Sequence, residues 1–205
     1  MKQYLQEHWS LYVFVTVLFL IGVGFGAILV NALTLEQKQE LTRHLSIYLN
    51  ESRQGTTVDP MQLFQDALSF HIKWTALIWL FGLSIIGLPL ILVLDFLKGV
   101  FIGFTIGYLV MQMSWNGMLF ALFTVVPHNL IVIPALLICS VSGIAFSISM
   151  IKNRLMYRRG TVVQPFLRYT GILLIMSVLF VGAAWWEGYL SPISLRWILP
   201  QLDTL

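Results

Sequence analysis

Charge is what this chain has least of. Only 10% of its residues are Asp, Glu, Lys or Arg, against about 25% in a soluble domain. Cysteine is nearly absent too: Cys139 is the single one, which excludes an intrachain disulfide and a thiolate metal cage. Neither an H-E-x-x-H pair nor a phosphate-cradling G-x-x-x-x-G-K-[ST] loop occurs. The segment from Cys139 to Gly143 is only loosely like a nucleophilic-serine turn, because Ser140 replaces its first glycine and all four histidines precede Ser142. These absences leave no expected catalytic residue, cofactor or metal site.

Hydrophobicity takes the place of charge. Of 205 residues, 58% are apolar, so the expected class is an all-α, polytopic integral membrane protein in contact with lipid. Twelve Lys and Arg give a net charge of +3, and five of the twelve lie between Lys152 and Arg168 without an acidic residue among them. That clustering is a topology signal rather than a nucleic-acid footprint, and no nucleic-acid partner is expected.

Five apolar runs are long enough to span: about 11–33, 74–94, 96–113, 130–151 and 169–186. The first exceeds the roughly 7–15 residues of a signal-peptide core and reads as a retained anchor. From Trp74 to Met113 only Asp95 and Lys98 are charged. Forty helical residues would reach about 60 Å, twice the hydrocarbon thickness, so the chain must fold back, and the charged pair is taken as the turn. Gly22 and Gly26 in the first run, and Gly99, Gly103 and Gly107 in the third, form small-residue grooves. Such grooves receive another helix of the same chain or a second copy, leaving a homodimer open.

Between the first two runs lies a nearly neutral polar segment, 34–72. Thr34 and Gln37 have capping-box spacing, and Asp59-Pro60 starts a second helix. Leu41, Leu45, Leu49 and Phe64 mark apolar faces on these two helices. The expectation is two helices at the membrane surface, or a face that docks a partner.

Met118 to Val126 is too short to cross: nine residues reach about 14 Å as a helix. If this segment, 118–126, re-enters without crossing, five spanning helices leave the N-terminus and the basic 152–168 loop in the cytoplasm. The 34–72 segment and the C-terminus then lie outside, as the positive-inside rule requires. Pro127, His128 and Asn129 end that half-helix. One reading makes them an architectural break whose polar side chains satisfy freed backbone groups. The other makes them a transporter- or channel-like site, with Asn129, Asn116, Gln112 and Ser84 lining a cavity.

Three stretches carry a resemblance: EHWSLYVFVTVLFLIGVGFGAILVNAL, GLSIIGLPLILVLDFLKGVFIGFTIGYLVMQMSWNG and VVPHNLIVIPALLI. They are similar to the stage II sporulation protein M family of endospore-forming bacteria. Many members of the broader family carry Pro-His-Gly-x-x-Glu; here Pro127 and His128 match, while Asn129 replaces the glycine and Val132 the glutamate. The resemblance implies a multi-pass protein on the mother-cell side of the sporulation septum, required for engulfment of the forespore. It implies a non-enzymatic scaffold that recruits and localises two peptidoglycan hydrolases, stage II sporulation proteins D and P. A reporter fused near residue 160 is expected to remain cytoplasmic; export of that fusion would overturn the five-helix topology.

Overall fold

A computed structural model describes residues 8–54, 59–84, 86–151 and 163–195. The basic stretch 152–162 lies outside the described residues, so most of the expected loop is not placed. Among the described residues every regular element is helical. These are α1 (Trp9–Leu29), α2 (Leu35–Gln54), α3 (Pro60–Gly82), α4 (Gly87–Thr124), α5 (Val126–Ile151) and α6 (Val163–Trp185). A 3-10 turn, Val30–Ala32, follows α1, and a π turn, Trp186–Leu190, extends α6.

Local sequence starts α2 and α3 as expected. The Thr34 amide donates to Gln37 Oε1 at 3.0 Å, and the Gln37 amide donates to Thr34 Oγ1 at 3.3 Å. This reciprocal pair satisfies two amides that have no partner within the helix. Asp59 accepts from the Met61 amide at 3.1 Å, and Pro60 occupies the first helical position, where a missing N–H costs nothing.

Among the described residues, four helical runs are long and apolar enough to cross a membrane: Trp9–Ala32, Gly87–Thr124, Val126–Ile151 and Val163–Leu195. The expected span at 74–94 is redrawn. α3 ends at Gly82, turn residues follow at Leu83, Ser84 and Ile86, and α4 begins at Gly87. The turn is built from glycine and serine: the Gly87 amide donates to the Ser84 carbonyl at 3.1 Å, and a Cβ on Gly87 would collide with the Phe81 carbonyl. Asp95 and Lys98, expected at the turn, instead lie inside α4 and are 0% and 7% exposed.

The long helix α4 is broken at Ser114, whose φ of 50° and ψ of −125° lie outside the helical region. A residue held there costs on the order of 1–3 kcal/mol and persists only where its surroundings fix it. They do so here, because Gly117 lies so close against the Leu109 carbonyl that a Cβ would collide. The chain therefore reverses, and 115–124 forms a short arm in place of the segment expected at 118–126. Phe120 and Ala121 of this arm pack with Leu109 and Leu195, under Leu45 and Leu49 of α2.

Glycine also sets the closest helix pair. Cβ atoms on Gly22 and Gly26 of α1 would strike the Phe96 and Val100 carbonyls of α4. Reciprocally, those on Gly99 and Gly103 would strike the Phe19 and Val23 carbonyls, and one on Gly107 would stand 3.0 Å from Ala27 Cα. The groove considered for self-association is thus filled by α1 of the same chain. A second joint ties α3, α5 and α6: Tyr169 donates to the Ile78 carbonyl at 2.7 Å, in the space left by Gly82 and Gly143.

The two ends of the bundle are distinct. α2, the Ser114 reversal, the start of α5 and the end of α6 gather at one end. There Thr42 and Tyr108 hydroxyls stand 3.1 Å apart, Gln112 donates to both, and Ser191 reaches the Thr124 carbonyl at 3.4 Å. At the other end Ser147 donates to the carbonyls of Gly82 and Ser84 at 2.9 and 3.3 Å. Gly26→Ala is expected to lower stability by about 1–3 kcal/mol through overpacking. Gly24→Ala on the same helix, with nothing within 4 Å of its Cβ, is expected to be neutral; thermal unfolding in detergent compares the two.

Candidate functional site

The Pro127-His128-Asn129 break joins the short arm to α5. Pro127 falls in the first turn of α5, where its lack of an N–H is tolerated. His128 Nδ1 is 3.2 Å from the Thr124 carbonyl, and Asn129 Nδ2 donates to the Val125 carbonyl at 2.8 Å. Asn129 Nδ2 is also 3.0 Å from His128 Nε2. A carbonyl can only accept, so this set is that of a neutral imidazole with its proton on Nδ1 and Nε2 accepting from Asn129. Both side chains thereby reach carbonyls at the junction.

The same histidine also borders a cavity of about 580 Å³. Its walls come from α2, α3, α4, the arm and the end of α6, and are largely apolar, with Leu45, Phe70 and Phe104 among them. Asp66, Tyr108, His128 and Glu187 supply polar groups. The set expected from sequence to line a cavity, Asn129, Asn116, Gln112 and Ser84, is not among its walls; His128 borders it in their place. Gln112 is bonded to Tyr108 at its edge, and Ser84 lies at the opposite end of the bundle.

Glu187 is the residue the sequence reading missed. It sits in the π turn that extends α6, and its Oε2 stands 3.6 Å from Nε2 of the buried His71. The His71 ring is stacked on Phe180, with centroids 5.7 Å apart. Val132, three residues after Asn129, is buried. The cavity receives its carboxylates from Asp66 of α3 and Glu187 of the α6 extension. π turns recur at functional sites, but nothing in the sequence of Trp186–Leu190 announces one.

Deeper in the bundle, Lys98 and Asp95 point to different partners. The Lys98 ammonium lies 4.5 Å from the Phe70 ring centroid and 5.8 Å from that of Trp74, a cation–π arrangement. Asp95 Oδ1 accepts from Ser140 Oγ at 2.7 Å, while its Oδ2 has no hydrogen-bond partner among the described residues. No group of three His, Cys, Asp or Glu among the described residues is placed to hold a metal ion.

The faces expected to dock a partner turn inward. Leu45 and Leu49 pack on Leu109 and Phe120, Leu41 lines the cavity, and Phe64 packs on Gly188 and against Tyr189, with ring centroids 6.4 Å apart. Their apolar surface is used to close the chain's own end, because the arm and the α6 extension offer it an apolar seat. What α2 leaves outward is mostly polar: Glu36, Glu40, Arg43 and His44 are exposed, beside Leu35 and Ile47.

Long apolar helices around a largely apolar cavity, with the ionisable Asp95 and Lys98 buried between them, define a helical membrane protein of the multi-pass class. The model of the stage II sporulation protein M family matches residues 15–192, and the chain belongs to that family. Neither the curated proteins nor the solved structures give a match.

Removing the Asn129 amide leaves the Val125 carbonyl without its side-chain donor, whereas the Thr124 carbonyl keeps Ser191 if His128 is removed. Asn129→Ala is therefore expected to destabilise by about 1–3 kcal/mol, and His128→Ala by less. Unfolding of the two variants side by side checks the order.

Proposed function

We propose that this sporulation-family membrane protein is a scaffold, which holds peptidoglycan hydrolases at the septal membrane during engulfment and performs no chemistry of its own. The observation that carries this reading is α2. It is a helix laid across one end of the bundle through the Thr42–Tyr108–Gln112 contacts and the packing of Leu45 and Leu49, and it presents charge outward. A surface helix whose inner face is taken up by its own chain leaves its charged outer face for a partner.

In this reading the chain crosses five times, through α1, α3, residues 87–113 of α4, α5 and α6, while the arm 115–124 stays at one end without crossing. Connections then alternate between the two ends, and the uncompensated bases after Lys152 fall on the cytoplasmic side with the N-terminus. The α2 platform lies on the opposite side, where the cell wall is. Stage II sporulation proteins D and P are the partners that the family suggests.

A second reading rests on the cavity. Broken helices at Ser114 and Val125, with polar groups on a cavity beside them, are the kind of arrangement that transporters and channels use for a substrate site. The two readings separate by mutation. Reversing charge on the outward face of α2, at Glu36, Glu40 and Arg43 together, is expected to cut co-purification of the hydrolases about tenfold or more while protein level stays constant. The cavity substitution Thr105→Val is expected to leave co-purification unchanged. Retained hydrolase binding after the α2 reversal would refute the platform.

A further inference from the structure

We propose that Asp95 is a proton-binding carboxyl, neutral at rest, that exchanges its proton through the cavity end of the bundle. The residue is 0% exposed in the middle of an apolar helix that qualifies as a membrane span. A carboxylate there would need a counter-ion and several hydrogen bonds, since an isolated buried charge is very costly. It has one hydrogen bond, from Ser140, and a bare Oδ2.

Each packed element withholds compensation. On its own helix, the Lys98 ammonium is turned to Phe70 and Trp74, and no ion pair joins it to Asp95 among the described residues. α5 brings Ser140 and the buried thiol Cys139. α6 brings Tyr169, whose hydroxyl is committed to the Ile78 carbonyl. α3 brings His71, which faces Glu187, and α1 brings Tyr12 against the apolar layer below. A proton on Oδ2 removes the charge with no further partner required. A metal cation would need more oxygen ligands than this set offers.

Access is asymmetric. One turn from Asp95 toward the 83–86 end, Val15, Ile91, Val141 and Ile144 form a layer no more than 2% exposed. Past that layer Ser147 is bonded to the Gly82 and Ser84 carbonyls. Toward the other end, Lys98 lies three residues on, about 4.5 Å along the axis, and its ammonium covers the face of Phe70, a wall of the cavity. His128 and Glu187 border that cavity, so a proton from water entering it meets titratable groups before it reaches Asp95.

The test is infrared difference spectroscopy of the full chain in lipid vesicles, with and without isotope-labelled aspartate. The chain has only four aspartates, and Asp59 and Asp66 are exposed. The expected result is a carbonyl stretch of a protonated acid at neutral pH that shifts with aspartate labelling and vanishes in Asp95→Asn. Asparagine preserves the acceptor for Ser140; should that variant not fold, the isotope shift in the unmutated chain decides alone. In heavy water the band should move to lower frequency, severalfold more slowly in Lys98→Met than in wild type and at an unchanged rate in Ser147→Ala. Three results would overturn the proposal. These are no such band at neutral pH, loss of the band on adding sodium at constant pH, or exchange slowed by Ser147→Ala but not by Lys98→Met.

Discussion

Backbone contact between α1 and α4 is the constraint on which the rest of the bundle depends. In a bilayer, apolar side chains gain little by leaving lipid for protein, so helices associate through close packing and hydrogen bonds. Five glycines on two helices let main chains meet, and at four of them a Cβ would collide with a carbonyl. That contact fixes the axial register of α4, and register decides which of its residues meet α5. Ser140 finds Asp95, and Val15 closes over Ile91, because α1 can lie no other way along the glycine row. α1 is otherwise a peripheral helix, with Phe14, Leu20, Phe25 and Ile28 turned outward.

The parts of the fold that were legible in the sequence are those written in neighbouring residues. The Thr34–Gln37 box and the Asp59-Pro60 start formed as read, since each needs only its own turn of chain. The glycine spacing was legible as a packing surface. The reversal after the third apolar run was legible from length alone, because nine residues cannot cross. Its sharp point at Ser114 was not: nothing marks serine for a positive φ, and the conformation is imposed by Gly117 closing on Leu109.

The larger misreading, at Asp95 and Lys98, is instructive physically. Inside an apolar run a charged pair looks like a surface turn, since water is the cheapest partner for charge. The true turn carried a quieter signal, glycines at 82 and 87 around a serine. Burial of the pair is possible because each group finds a partner distant in sequence, a hydroxyl for the acid and two aromatic faces for the base. Glu187 was hidden for the same reason. Its meaning comes from His71 and the cavity, which no local pattern connects to it.

One consequence concerns biosynthesis. α3 is not among the four runs apolar enough to cross unaided. It carries Asp66, His71 and Lys73, each costly in hydrocarbon. Its strongest ties are to groups made much later: the Ile78 carbonyl to Tyr169, and Trp79 to Thr170, both 91 residues onward. On the five-crossing reading, α3 therefore stays uncommitted at the insertion machinery until the last helix emerges. The translating ribosome must deliver nearly the whole chain before the bilayer holds its second span.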